Sequence, residues 1–242
     1  TQTRLLEVAQ TAARRRLPLL AVEVETEAGR SSGASGFLRS LHLETLDAAV
    51  TVTRVPSSAR EHAEDWVERI LAELPETGFQ ESRLHDPGRP DSARQAPVWR
   101  LLEESEPATP PLDPGDVLLV IGGGKGIGAE CALALAQRLK VKIGILGRSR
   151  PDSDDELQKN LDRFAAHGVE CRYEPADATD PQGLARAVES IARELGPVVG
   201  LVHSAGRNVP KPVTALTLED LESTAAPKVD GYLVDNFEGF GD

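Results

Sequence analysis

The length, composition and charge of this chain exclude several classes of protein. Its 242 residues are 40% apolar and 27% charged, which is typical of a globular protein with one large core or two small ones. The formal net charge of −12 argues against a nucleic-acid partner, because binding to a phosphate backbone requires a positive surface.

The cysteine content and the hydropathy of the sequence exclude further classes of protein. The two cysteines, Cys131 and Cys171, lie far apart and have no histidine at ligand spacing, so we expect neither a disulfide framework nor a metal site. No apolar run approaches the length of a membrane span, and no signal peptide is recognisable. We therefore expect a cytoplasmic protein that does not contact a membrane.

Residues 1–102 alternate between helical and strand patterns without a nucleotide-binding signature. An apolar stripe predicts a helix over residues 3–15, and a strand is predicted from Leu17. β-Branched residues in alternation predict a second strand over Ala48–Val55. The block is interpreted as a structural α/β subdomain.

The second half of this block continues the alternation. Ser58 and Glu61 have the spacing of a capping box, and the helix expected after them carries Trp66 on its apolar face, where we expect it to be buried. Two more strands are predicted, one from Phe79 and one over Pro97–Leu102.

Residues 103–116 are predicted to be a linker. The sequence EESEPATPPLDPGD contains four prolines and is net negative. Proline fixes φ and removes a backbone donor, so such a segment favours an extended connection. We place the domain boundary here and assign residues 117–242 to a second domain.

The second domain begins with a strand, a glycine-rich turn and a helix. Val117–Ile121 is a short apolar run typical of a strand buried on both faces, and a helical pattern covers residues 129–139. Such a turn either holds a dinucleotide pyrophosphate against the helix N-terminus or uses glycine only for its positive φ. The strand–turn–helix context favours dinucleotide binding by the residues of the turn: Gly122, Gly123, Gly124, Lys125, Gly126, Ile127 and Gly128.

Regular βα units follow the turn. Strands are predicted over Val141–Leu146, Val169–Glu174 and Val198–His203, with amphipathic helices between them. A final helix is expected from Thr217, with Pro227 interrupting or restarting it. The predicted fold is α/β: a Rossmann-like parallel sheet with helices on both faces, preceded by a second, cofactor-free α/β subdomain.

Polar residues follow the predicted strands at positions suited to a dinucleotide. Gly147–Arg150, GRSR, follows the second strand, where Arg148 and Ser149 suit a 2′-phosphate and favour NADP(H) over NAD(H); the alternative is a solvated arginine in a loop. Asp177 follows the third strand and can accept from an adenine amine, or can simply form a turn. In His203–Gly206, HSAG, the backbone can approach the ribose and nicotinamide.

The motifs IGGGKGIG, GRSR, DATD, HSAG and PKVDG, in that order, resemble the short-chain dehydrogenase/reductase superfamily. Together they are similar to the ketoreductase domain of type I polyketide synthases, which carries a structural subdomain ahead of the catalytic one. The run GGGKGIGAECALALA is similar to the iterative synthases of the enediyne type.

The resemblance implies NADPH as the cofactor and a β-ketoacyl chain on an acyl carrier protein as the substrate, within a synthase that has further domains. Lys228 matches the lysine of the family's Lys–Ser–Tyr–Asn set, in which a tyrosine protonates the substrate oxygen and the lysine lowers the pKa of that tyrosine. The implied cofactor-binding residues are Gly122, Gly123, Gly124, Lys125, Gly126, Ile127, Gly128, Arg148, Ser149, Asp177, Ala178, Ser204, Ala205 and Gly206.

The sequence departs from the family pattern at several places. Ile121 stands where the family usually has threonine, and the leucine–aspartate–aspartate signature is absent after Gly206. The catalytic serine and the Tyr-x-x-x-Asn motif do not follow Lys228; Tyr232 reverses the usual order, so we expect it to have a surface or packing role. Both ends are expected to be incomplete, and the open alternatives are a non-catalytic structural or nucleotide-binding module and a free-standing short-chain reductase.

Overall fold

The structure is a computed structural model that describes residues 2–25, 33–86, 94–102 and 110–235. The chain divides into two compact units, Thr1–Ser105 with Pro210–Leu218, and Glu106–Val209 with Glu219–Asp242. Nine residues of the predicted second domain, Pro210–Leu218, therefore belong to the first unit. Val213 explains this placement: its side chain is buried in the core of the first unit, and its N–H donates to the Glu44 carboxylate at 2.8 Å.

The first unit is a three-stranded parallel sheet with helices. The strand order is β1-β2-β3. The bounds of the elements are α1 Gln2–Arg15, β1 Leu19–Val24, α2 Ala34–Glu44, β2 Val50–Val55, α3 Ala63–Leu71 and β3 Phe79–Arg83. The helices and strands predicted above for this block are present apart from the start of α3 and one strand, and α2 lies between the first two strands.

The central strand β2 organises this unit. Val50 and Val52 pack in a cluster with Leu38 and Leu41 of α2, while Thr53 is also fully buried and shares a hydrogen bond with Ser82 of β3. Alternate residues of a strand point to opposite faces, so one strand serves an apolar and a polar side of the sheet.

Two predictions for this unit are wrong. Ser57–Arg60 forms a short 3-10 helix in which the Ser58 hydroxyl donates to Asp86, so Ser58 does not cap α3, which begins at Ala63. Pro97–Leu102 is not a strand, because only the preceding Gln95 pairs with β3 and the Pro97 nitrogen carries no N–H to extend the pairing.

The burial predicted for Trp66 is confirmed. Its side chain is 3% exposed and packs in a cluster with Val55, Ala59 and Leu84. The Arg69 guanidinium lies over the indole ring, 4.5 Å from its centroid.

The second unit contains a four-stranded sheet that is parallel throughout. The strand order is β6-β5-β4-β7. The bounds are β4 Val117–Ile121, α4 Gly126–Leu139, β5 Lys142–Gly147, α5 Asp155–Ala166, β6 Cys171–Pro175, α6 Pro181–Leu195, β7 Val198–His203 and α7 Leu218–Asp235, most of which lies in this unit. The predicted Rossmann-like α/β architecture is confirmed.

Helices cover both faces of this sheet. Leu118 and Val120 pack against α4 and α5, whereas Val117, Leu119 and Ile121 pack against α6. Every residue of β4 is buried, as the apolar run predicted.

The predicted interruption at Pro227 is wrong, because α7 runs continuously from Leu218 to Asp235. Proline removes only one backbone donor, and the Pro227 carbonyl lies 2.9 Å from the His203 Nε2. Among the described residues, no helix is long and apolar enough to cross a membrane.

Candidate functional site

A cavity of about 480 Å³ lies at the carboxyl ends of the strands of the second unit. The chain moves outward from β4 to β5 and β6, then returns to the other side of β4 to form β7. Open parallel sheets bind ligands at this point of reversal, because two loops diverge there and leave a crevice. The cavity therefore lies where the fold predicts a ligand site.

The glycine-rich turn forms one wall by approaching the loop after β7 very closely. A Cβ added to Gly122 would lie 2.6 Å from the Ala205 nitrogen, and one added to Gly128 would lie 2.7 Å from the Ser204 Oγ. Gly122 also has a φ of +80°, which residues with a side chain rarely adopt. Side chains at these two positions would push the glycine turn away from the loop after β7.

The remaining residues of the turn divide between the cavity and the interior. Gly124, Lys125 and Ile127 line the cavity together with Gly122 and Gly128. Gly123 does not line it, since the space beside its Cα is filled by the Val120 side chain. Gly126 also lies outside the wall; it begins α4, and its N–H donates to Glu156 Oε1 at 3.3 Å.

Lys125 joins the glycine turn to the loop after β5. Its ammonium donates to Asp154 Oδ2 at 2.6 Å and to the Ser149 Oγ at 3.2 Å. The Asp154 carboxylate also accepts from the Leu157 N–H at the start of α5. The hydrogen bond from Lys125, followed by those from Ser149 and Leu157, lowers the pKa of Asp154 to about 2.

The loop after β5 carries Arg148 and Ser149 along the cavity wall, with Asp177 and the buried Ala178 after β6. Asp177 accepts from the Thr179 N–H and hydroxyl at 2.9 and 2.7 Å, so it forms a turn as well as lining the cavity. The Thr179 backbone hydrogen bond, with a smaller contribution from the Arg148 charge, lowers the pKa of Asp177.

The far end of the cavity is formed by Ser204, Ala205 and Gly206. Lys228 is not in the wall but lies beside it, since a Cβ added to Gly206 would be 3.0 Å from its Cε and 3.4 Å from its Nζ. An ammonium group is therefore present at this end. The side chain of Tyr232 lies outside the described residues.

Three residues of this site were not predicted from the sequence. Glu156 accepts from the turn, Asp154 pairs with Lys125, and the Tyr173 hydroxyl donates to the Ser149 carbonyl at 2.6 Å. Asp154 and Glu156 lie at the start of α5, where no cofactor motif was recognised, and nothing in the pattern of β6 singled out its tyrosine.

The residues present fit a dinucleotide. The cavity volume lies within the range of small-molecule sites, and its wall combines backbone without side chains, an exposed arginine and apolar carbon. Among the residues that the structure describes, no group of histidine, cysteine and carboxylate side chains could hold a metal ion.

Comparison with known proteins agrees with this geometry. Residues 116–234 match the family model described as the KR domain. The chain is 29% identical over 167 residues to "Reducing polyketide synthase PKS2" of Cochliobolus heterostrophus, covering 69% of this chain and 7% of that protein. It is 26% identical over 199 residues to "Polyketide synthase PksM" of Bacillus subtilis, covering 82% of this chain and 4% of that protein.

Solved structures share the fold. A ketoreductase domain from the bacillaene assembly line superposes with a TM-score of 0.72 at 21% identity, covering 96% of this chain and 54% of that chain. A multidomain structure of a keto acid-selecting NRPS module, with adenylation and ketoreductase domains, gives a TM-score of 0.74 at 17% identity over 95% of this chain and 20% of that chain.

The chain spans less than a tenth of the length of the two synthases described above. The KR match implies a nicotinamide cofactor, whereas the similarity to the enediyne type stays a prediction. The match over residues 116–234 and the polyketide synthase relatives lead to one assignment: residues 116–234 belong to the KR domain family, which supports the predicted ketoreductase domain of a polyketide synthase.

Proposed function

We propose that this chain binds NADPH and contributes to the reduction of a β-ketoacyl chain, held on an acyl carrier protein, to the β-hydroxyacyl product within a polyketide synthase. One observation carries the proposal. The backbone at Gly122 and Gly128 leaves no room for a side chain, and it lines the same cavity as Arg148 and Ser149 of the loop after β5. Pyrophosphate and 2′-phosphate are the groups that such a pair of features suits.

The cofactor roles follow the positions of the residues in the cavity. The glycine turn would hold the pyrophosphate, and Arg148 with Ser149 would hold the 2′-phosphate by charge-assisted hydrogen bonds. Asp177 would face the adenine, while Ser204–Gly206 would line the nicotinamide side.

When bound, NADPH would supply the hydride that reduces the β-keto carbon. The Lys228 ammonium beside Gly206 would stabilise negative charge at that end of the cavity and favour the anionic form of a tyrosine acid. Tyr173 does not fit the role of that acid, because its hydroxyl donates to the Ser149 carbonyl. We propose that this chain does not itself carry the family's catalytic serine and Tyr-x-x-x-Asn segment.

A second candidate is a module that binds the nucleotide without catalysis. Ile121 favours it, because its side chain is 3% exposed and packed against α6 where the resemblance expects a threonine hydroxyl. The two candidates share the cofactor site and differ only in turnover.

Two measurements test the proposal. NADPH fluorescence should rise and saturate on titration with the protein, whereas an absence of saturable binding would contradict the cofactor assignment. Oxidation of NADPH with a β-ketoacyl thioester should then be followed by the loss of absorbance of the reduced nicotinamide. Turnover supports the reductase. Saturable binding without turnover supports a reductase that lacks its catalytic segment, or the non-catalytic module, and an assay with that segment present then separates these two.

A further inference from the structure

Tyr173 lies where two walls of the cofactor cavity meet, although no cofactor motif includes it. It sits in β6, paired in register with Ile145 of β5, and its half-buried side chain lines the cavity. Its hydroxyl donates to the Ser149 carbonyl at 2.6 Å. A side chain of β6 therefore holds the backbone of the loop that follows β5.

Two glycines provide the space for this ring. A Cβ on Gly147 would lie 2.9 Å from the Tyr173 hydroxyl, and a Cβ on Gly124 would lie 3.4 Å from its Cε2. The ring thus packs between the glycine turn and the loop after β5. A side chain at Gly147 would displace the hydroxyl from the Ser149 carbonyl.

Ser149 makes a second hydrogen bond through its side chain. The Lys125 ammonium donates to the Ser149 Oγ, while the Tyr173 hydroxyl engages the Ser149 carbonyl. Ser149 is therefore held through both its backbone and its hydroxyl group, next to the exposed Arg148.

We propose that Tyr173 is a positioning residue that determines cofactor specificity: its hydrogen bond holds Gly147–Ser149 in the conformation in which Arg148 and Ser149 receive a 2′-phosphate. This inference rests on the proposed function. A loop that is already ordered loses less conformational entropy when its ligand binds, so affinity for the phosphorylated cofactor rises. NADH has no 2′-phosphate and gains nothing from this order.

The chemistry of the hydroxyl suits a permanent donor. Burial, with a smaller contribution from the Asp154 charge, raises the pKa of Tyr173 to about 12. The hydroxyl therefore keeps its proton at neutral pH, and the hydrogen bond to Ser149 persists under ordinary assay conditions.

The test is a double-mutant cycle read out by NADPH and NADH binding to the full protein. Tyr173→Phe removes the hydroxyl and keeps the ring, and we expect it to weaken NADPH binding about three- to tenfold with less than a twofold change for NADH. In an Arg148→Ala background the same substitution should change NADPH affinity less than twofold, since the position of the loop no longer matters. Gly147→Ala should reproduce the selective loss of NADPH by displacing the hydroxyl.

Equal losses for the two cofactors, or a full Tyr173→Phe effect that persists in the Arg148→Ala background, would overturn the proposal. Thermal melts of each variant identify any general loss of structure. The wild-type titration separates the two levels of inference. No NADPH binding by the wild type contradicts the proposed function, whereas wild-type binding with no effect of Tyr173→Phe contradicts only the role of Tyr173.

Discussion

The two units are both built on parallel sheets, yet they use the ends of their strands differently. In the first unit the described strands follow in the order β1-β2-β3, so each is added on the same side of the last. In the second unit the order β6-β5-β4-β7 reverses at β4, and the glycine turn lies at the reversal. Among the described strands, the reversal at which open parallel sheets bind ligands is therefore present in the second sheet and absent from the first.

The units also differ in where they place charge. In the first unit Arg54 pairs across the sheet with Glu23 at 2.9 Å and Glu81 at 3.0 Å. In the second unit β4 is wholly apolar, and the Lys125–Asp154 pair lies at the edge of the cavity. An ion pair therefore lies on the central strand of the first sheet, whereas the described ion pairs of the second unit lie away from β4, on β6 as well as at the proposed binding site.

The largest effect on NADPH binding should come from adding a side chain to the glycine turn. We expect Gly122→Ala to weaken NADPH binding more than tenfold and to lower the free energy of unfolding by about 2 kcal/mol, because the new Cβ meets the Ala205 backbone and φ is positive. Titration and urea unfolding measure the two effects.

The matched control for this prediction lies in the first unit. Gly36 is inside α2 with no atom within 4 Å of an added Cβ, so Gly36→Ala should raise the free energy of unfolding by about 0.5–1 kcal/mol and leave NADPH affinity unchanged. If Gly122→Ala bound NADPH as tightly as the wild type, the proposed difference between the two units would be contradicted.

The next effect should come from the arginine after β5. Arg148→Ala should weaken NADPH binding by about 10- to 100-fold, the range of a charge-assisted hydrogen bond, and NADH binding less than twofold. Arg150→Ala is the matched control, because Arg150 is also exposed but does not line the cavity. Equal losses for both cofactors would contradict the 2′-phosphate role.

A smaller effect, on stability alone, is expected in the first unit. Arg54→Ala should lower the free energy of unfolding by about 1 kcal/mol, because carboxylates of two neighbouring strands lose their shared partner, and it should leave NADPH affinity unchanged. Arg16→Ala should have almost no effect, since its pair with Asp47 is long and exposed. A loss of NADPH affinity in Arg54→Ala would contradict a purely structural role for this sheet.

The smallest effect should come from removing the charge of Asp154, and the resulting change in stability should depend on pH. Its pKa is lowered in the folded protein from 3.8 to about 2, so its contribution to stability is present above pH 4 and is lost as the pH falls toward 2. Asn can still cap α5, so Asp154→Asn isolates the charge. The stability difference between variant and wild type, measured by urea unfolding, should shrink over that range; a constant difference would contradict this assignment.

Local patterns predicted the elements of the second unit well. The apolar run of Val117–Ile121 gave the bounds of β4, and the glycine turn led to the cavity that the structure contains. These features depend on neighbours in sequence, which is why they could be predicted. The strand predicted over Pro97–Leu102 failed because a strand also needs a partner, and within the described residues 94–102 only Gln95 pairs with a strand, at Arg83 of β3.

Contacts between distant residues could not be predicted. Tyr173 reaches Ser149, and Asp154 reaches Lys125, across 24 and 29 residues respectively. Such pairs depend on register and rotamer, which periodicity does not encode. The capping box failed for the same reason: Ser58 bonds to Asp86, 28 residues away, rather than to its own helix.

Hydrogen–deuterium exchange with and without NADPH tests the central claim most directly, because it reports both units in one experiment. The account predicts slower exchange in Gly122–Gly128, Gly147–Ser149 and Ser204–Gly206, with β1, β2 and β3 unchanged. Protection in the first unit, or no protection in the glycine turn at saturating NADPH, would contradict it.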